Sequence, residues 1–170
     1  GSRMSTLTVQ NIQGSSSSSN TISVASGHVL NAPGHVIQTV YSSSATNEST
    51  TSTSFVNTSL AASITPTSSS SKILVTVNAS LFSNTADIHA VAGIFRGNVS
   101  GTNLGNGTYS IGSAYGGNSN GKACVSCAIL DSPSTTSATT YTVGLRRNGG
   151  SGTMYINVNE ERSTIVLQEI

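Results

Sequence analysis

Beyond residue 35, apolar and polar residues alternate in short runs. In KILVTVNASLF (72–82), Ile73, Val75, Val77, Ala79 and Leu81 fall on one face, and Leu74, Thr76, Asn78, Ser80 and Phe82 on the other. A period of two places successive side chains on opposite sides of the backbone, so this run predicts a strand with one core face and one mixed face. Similar runs predict strands over 36–41, 54–64, 89–95, 124–130, 140–145, 154–158 and 163–170. The stretches between them, such as TPTSSSS, GNVSGTNLGNG, YGGNSNG, DSPSTTSA and NGGSG, supply turn residues. No helical period is sustained. The pattern predicts an all-β chain folded as an antiparallel β-sandwich or jelly roll.

Two of these strands are apolar on both sides. In STIVLQEI, Ile165 and Leu167 oppose Val166 and Ile170; in CVSCAIL, Val125, Cys127 and Ile129 oppose Cys124, Ala128 and Leu130. Within a two-sheet sandwich only one face of a strand meets the partner sheet. The second face then predicts contact with another subunit, with a loop or the N-terminal segment as the alternative cover.

The chain divides unevenly. Gly1-Ser2-Arg3 before Met4 reads as a cleavage scar, residues 4–34 as an extended N-terminal stalk or linker, and residues 35–170 as the β-domain. The N-terminal segment carries two short strand-like pieces, 6–12 and 21–24, around the run Ser15–Ser19, which has too little to bury to fold alone. No signal-peptide pattern and no window of about 18 apolar residues is present, so no membrane insertion is expected.

Composition narrows the function. Charged residues make up 8% of 170, with seven Lys or Arg against six Asp or Glu and a net charge of +1. Counterion release from a nucleic acid needs a basic stripe, so none is expected as a partner. Ser and Thr are about a third of the chain, a polar coat made of hydroxyls. Cys124 and Cys127 are three apart on a predicted strand and point to opposite faces, which predicts two independent thiols. His28, His35 and His89 lack the alternate spacing that places two imidazoles on one strand face, and no metal site or cofactor is expected.

The carboxylates Glu48, Asp87, Asp131, Glu160, Glu161 and Glu169 are scattered, and only Asp87 lies near a histidine, His89. Glu160, Glu161 and Arg162 read as a solvated turn with a local ion pair. With no nucleophile elbow or phosphate loop, an enzyme is not expected. GNGTYSIGSAYGGNSNG reads as loop. Its Tyr109 and Tyr115, with Asn118 and Asn120, combine amphipathic rings with amides and form a candidate ligand surface. Arg146 and Arg147, at a strand end, are candidates to meet an anionic saccharide or a subunit carboxylate.

SLAASITPTSSSSKILVTVNASLF, LDSPSTTSATTYTVGLRRNGG and the terminal STIVLQEI resemble phage tail-fibre and related virion appendage proteins of the marine-phage type. The likeness runs from about Leu7 to the end. In that family an N-terminal strand segment leads into a trimeric β-domain, similar in strand pattern to the tumour-necrosis-factor-like jelly roll. The chain departs from the cytokine members in its scarcity of aromatic residues and has no Trp. The resemblance implies a homotrimer in which strands 36–41, 72–82, 124–130 and 163–170 form the sheet facing the threefold axis. Val36, Val40, Leu74, Phe82, Cys124, Leu130, Val166 and Ile170 are the expected interface residues. It further implies a receptor-binding or structural role in a virion made in the host cytoplasm, with other virion proteins and a host-surface glycan as partners. The alternatives are a capsid-decorating trimer and a bacterial lectin-like or carbohydrate-active module with Asp87, His89 and Asp131 near a cleft.

Overall fold

A computed structural model describes residues 34–170 and, before them, only Ser26. The strand-like pieces at 6–12 and 21–24 lie outside the described residues. Among the described residues there are eleven strands: β1 (Gln38–Ser44), β2 (Glu48–Thr50), β3 (Val56–Ile64), β4 (Ile73–Ser83), β5 (Ile88–Arg96), β6 (Thr102–Asn103), β7 (Gly112–Gly116), β8 (Gly121–Asp131), β9 (Thr139–Asn148), β10 (Met154–Ile156) and β11 (Ser163–Glu169).

They build two antiparallel sheets. In the first, β1 pairs β11, β11 pairs β4 and β4 pairs β8; beyond β11, β4 continues against β10, which carries β2. In the second, β3 pairs β9, β9 pairs β5, and the far side of β5 is shared by β6 and β7. The order β1-β11-β4-β8 facing β3-β9-β5-β7 mixes early and late strands in each sheet, which is the jelly-roll arrangement. The four strands expected to share one sheet do so.

Alternation sets the core. Ile73, Val75, Val77, Ala79 and Leu81 of β4, with Ile165 and Leu167 of β11, are fully buried against Leu60, Ile94, Tyr141 and Val143 of the second sheet. Burial of each large side chain contributes about 1.5–3 kcal/mol. β1 starts two residues later than the pattern suggests and β10 stops at Ile156, where a 3-10 turn over Val158–Glu160 takes over. Asn157 opens that turn at φ 60 and is wholly buried. Its side chain accepts from Ser163 Oγ (2.5 Å) and donates to the Thr46 carbonyl (3.1 Å), an arrangement suited to an amide in the left-handed region.

Two further polar clusters lie inside. Glu169, wholly buried, accepts from Gln38 Nε2 (2.6 Å) and from Thr67 N and Oγ1 (both 2.7 Å). Asp131 accepts from Tyr141 Oη (2.7 Å) and faces the Arg96 guanidinium at 3.3 Å, tying β8 of one sheet to β5 and β9 of the other. Among the described residues no buried side-chain N or O lacks a partner. Glu161 is not the solvated partner of Arg162 that the sequence suggests. It bonds Lys122 and Ser80, while Arg162 donates to Ser43.

Candidate functional site

The outer faces of the two sheets differ. On the second sheet, Gly93 of β5 and Gly144 of β9 are register partners. A Cβ on Gly93 would lie 2.9 Å from the Phe55 and Phe95 rings, and one on Gly144 2.8 Å from Val99. The two glycines thus form a recess that the chain itself fills. Phe55 meets Phe95 edge-on at 5.0 Å, the Arg146 guanidinium lies 5.1 Å from the centre of the Phe55 ring, and Val91 and Phe95 are buried although they face away from the core.

The first sheet has no such cover among the described residues. Its outer face runs in register rows: Tyr41, Val166, Thr76 and Ala128; then Thr39, Gln168, Leu74 and Leu130. A middle row of Ser43, Thr164, Asn78 and Ser126 separates these from Ser80 and Cys124, and from Tyr155, Phe82 and Lys122. Tyr41 is 60% exposed and Leu130 49%, and Val36 and Ile170 are exposed at the same end of the sheet. The charges toward the opposite end are Lys122 and Glu161, paired to each other, and Arg162, which donates to Ser43 of the middle row; Lys72, bonded through its backbone to Ile170, is exposed at the apolar end. The Lys122 and Ser80 hydrogen bonds hold the Glu161 carboxyl below its ordinary range.

Of the expected interface residues, Leu74, Phe82, Cys124, Leu130 and Val166 lie on this face, and Val36 and Ile170 at its end. Val40 does not. It packs on the core, and its neighbour Tyr41 takes the outward position. In a strand a shift of one residue changes the face, and of the two side chains it is the smaller aliphatic one that goes inside. Cys124 and Cys127 fall on opposite faces of β8 as free thiols, Cys124 exposed.

The tyrosine-rich stretch is not simply loop. It contains β7, which pairs with β5 so that Tyr115 stands opposite His89. The His89 ring lies between Tyr109 and Tyr115, 4.5 Å from each ring centre. His89 Nδ1 is 3.0 Å from Ser113 Oγ, and the Tyr115 hydroxyl donates to Asp87 Oδ1 at 2.8 Å. Partial burial lowers the His89 pKa, so the ring is neutral near pH 7. The Asp87 hydrogen bond, ahead of desolvation, raises that of Tyr115. Asp87 sits at φ 58, its amide bonded to the carbonyls of Gly116 and Gly117, which brings the Asn118–Asn120 turn beside it.

Both arginines are engaged with backbone carbonyls. Arg146 donates to the carbonyls of Thr53 and Thr108, pinning the loop that carries Tyr109. Arg147, on the opposite face of β9, donates to the carbonyls of Thr51 and Gly149. Asp131 belongs to the far end of β5: its partner Arg96 is seven residues from His89, about 23 Å along a strand. Asp87, His89 and Asp131 therefore do not converge on a cleft. Among the described residues, no three His, Cys, Asp or Glu side chains group as metal ligands, and no helix is long and apolar enough to cross a membrane.

No family model matches the chain, and no curated protein matches it. Solved structures to which it is similar include two of one viral protein. One is VP2 of infectious bursal disease virus in a subviral particle, with a TM-score of 0.42 and 12% identity, covering 88% of this chain and 41% of that one. The other is a mutant VP2 of the same virus from T=1 particles, with a TM-score of 0.40 and 12% identity, over 88% and 40%. The chain spans about two-fifths of the length of these proteins.

Sequence reasoning missed Tyr41 as a member of the first surface, and it grouped Asp87 and His89 with Asp131 where the structure groups them with Tyr109 and Tyr115. The signal for that grouping was present, since an Asp-x-His run at a strand start places its histidine where a paired strand can set a ring against it.

Proposed function

We propose that this chain is a structural domain of a virion, a phage tail-fibre or related appendage, that assembles as a homotrimer through the outer face of its first sheet. The observation that carries the reading is the contrast between the two outer faces. The chain fills its own recess over the second sheet and, among the described residues, leaves an apolar patch on the outer face of the first, with Tyr41, Leu74, Leu130 and Val166 together at one end. A contiguous exposed apolar patch of this kind favours association. The order β1-β11-β4-β8 brings into one sheet the four strands that the resemblance to appendage proteins implies for the face toward a threefold axis.

A capsid-decorating trimer would use the same face and differ in where its base attaches. Immunogold labelling of purified particles with an antibody against the chain separates the two. Gold on fibres or appendages is the expected result, gold over the shell favours the decorating role, and particles free of label contradict a virion protein of either kind. The lectin-like reading is favoured by a separate feature, the Tyr109, His89 and Tyr115 stack, which the appendage reading also accommodates as a receptor contact.

A further inference from the structure

The six large hydrophobic side chains that the described residues expose fall into two groups. Val36, Tyr41, Leu130 and Ile170 lie on or at the end of the first sheet; the other two, Tyr109 and Tyr115, each lie 4.5 Å from the same histidine ring on the second. We propose that Tyr115, Tyr109 and His89, with the Asp87 carboxylate, form a binding platform for a neutral pyranose. The inference rests on the reading of the chain as a receptor-binding domain and adds the ligand class and the residues that take it.

The rings are held in place before any ligand arrives. His89 comes from β5, a central strand of the second sheet, and is fixed by Ser113; Tyr115 is its cross-strand partner and is fixed at its hydroxyl by Asp87. Tyr109 is placed by its neighbour Thr108, whose carbonyl accepts from Arg146. The turns beneath tolerate no side chain at two points: a Cβ on Gly116 would lie 2.2 Å from the Thr85 carbonyl oxygen, and one on Gly121 1.9 Å from that of Tyr115. Such fixation lowers the ordering cost that a weak ligand must overcome.

The chemistry selects a sugar. Tyr115 is 50% exposed and Tyr109 45%, so each offers ring surface to the apolar C–H face of a pyranose. Asp87 Oδ1 holds the Tyr115 hydroxyl, while Oδ2 has no donor among the described residues and is the acceptor for sugar hydroxyls at the rim. Exposed Asn118 and Asn120 supply amides from the adjoining turn. An organic ammonium also favours rings beside a carboxylate, but it is held best by several ring faces surrounding it. Here His89 stacks on Tyr115 and is tilted against Tyr109, each at 4.5 Å, and these contacts take up the ring surface between them. No cation belongs to the platform itself, and the guanidinium groups of Arg146 and Arg147 are held by backbone carbonyls, so a neutral sugar suits it better than an anionic one.

The test titrates the intact chain with methyl β-D-glucoside, methyl β-D-galactoside and methyl α-D-mannoside, each to about 50 mM, with choline chloride as the cationic control, and maps amide shifts by NMR. Shifts confined to residues around Asp87, Tyr109, Tyr115 and Asn118 are expected with at least one glycoside and not with choline. Tyr115→Ala and Asp87→Asn should each weaken that binding about tenfold or more. Silence with all three glycosides, shifts elsewhere, or an equal response to choline would overturn the proposal. Because mapping on the unaltered chain needs no variant to fold, a misfolded variant leaves the test intact. Sedimentation of the same sample reports the oligomer independently, so the platform can fail while the appendage reading stands.

Discussion

Tyr41 of β1 and Val166 of β11 are register partners on the outer face of the first sheet, an aromatic ring beside a β-branched side chain with neither turned toward the core. Such a pair helps a strand ladder by only about 0.2–1 kcal/mol, too little to explain leaving Tyr41 exposed to water. Contact with another subunit, as proposed, would account for its place.

If this face joins subunits, a charge placed on it should separate them without unfolding them. Val166→Lys and Leu130→Lys are each expected to convert the assembly to single subunits while the far-ultraviolet circular dichroism stays that of a β-protein. Both residues point away from the core, so loss of fold along with assembly would contradict the separation of roles between the two faces.

Cys124 and Cys127 offer a chemical reading of the same geometry. Cys124 is exposed on the outer face of one subunit, and Cys127 is half-buried on the inner side of β8. Alkylation followed by mass spectrometry should find Cys124 modified first in the Val166→Lys subunit and protected in the assembled wild type. Cys127 should react only with unfolding. Equal rates for Cys124 in the two proteins would mean that nothing covers this face.

Acid should loosen the sandwich at one identifiable place. Desolvation pushes the Glu169 carboxyl upward, but hydrogen bonds from Ser71, Gln38 and Thr67 together outweigh it and bring the pKa down to about 2. A carboxyl depressed in the folded state adds stability that is fully present above the ordinary carboxylate range and is lost as pH falls from about 4.5 toward 2. Glu169→Gln should cost about 1–3 kcal/mol at pH 7, because its amide presents a donor where Thr67 or Gln38 already donates. It should also flatten the fall in melting temperature between pH 4.5 and 2. An acid limb as steep as that of the wild type would remove Glu169 from this role.

The tie between sheets is testable through Tyr141, whose ionisation is pushed far upward by burial and by the bond to Asp131. Tyr141→Phe keeps the ring and deprives Asp131 of its donor. The loss should be about 1–3 kcal/mol by urea unfolding, with no change in oligomeric state. A neutral effect would mean that Arg96 alone satisfies the carboxylate.

Much of this was legible in the sequence. All eight expected strands are present, because the alternation in β4, β8 and β11 encodes which side chains face the core. The three missed strands are short. β7 was hidden because Gly112 and Gly116 look like turn residues, whereas Gly116 is required by the close approach of the Thr85 carbonyl. Val40 was assigned to the wrong face because residues 36–41 carry apolar side chains of both parities, and periodicity cannot choose between Val40 and Tyr41. The cover over β5 was not legible at all. It depends on Phe55 reaching the recess at Gly93 and Gly144, a contact between distant segments that local pattern does not encode. Likewise, the engagement of Arg146 and Arg147 with backbone carbonyls arises from loops that only the folded chain brings near.

The central claim is that another copy of the chain covers the outer face of the first sheet. Sedimentation equilibrium of the intact protein at micromolar concentration tests it most directly. The account predicts a single species of three times 17.2 kDa, converted to one-third of that mass by Val166→Lys; a stable species of 17.2 kDa in the unaltered protein would contradict it.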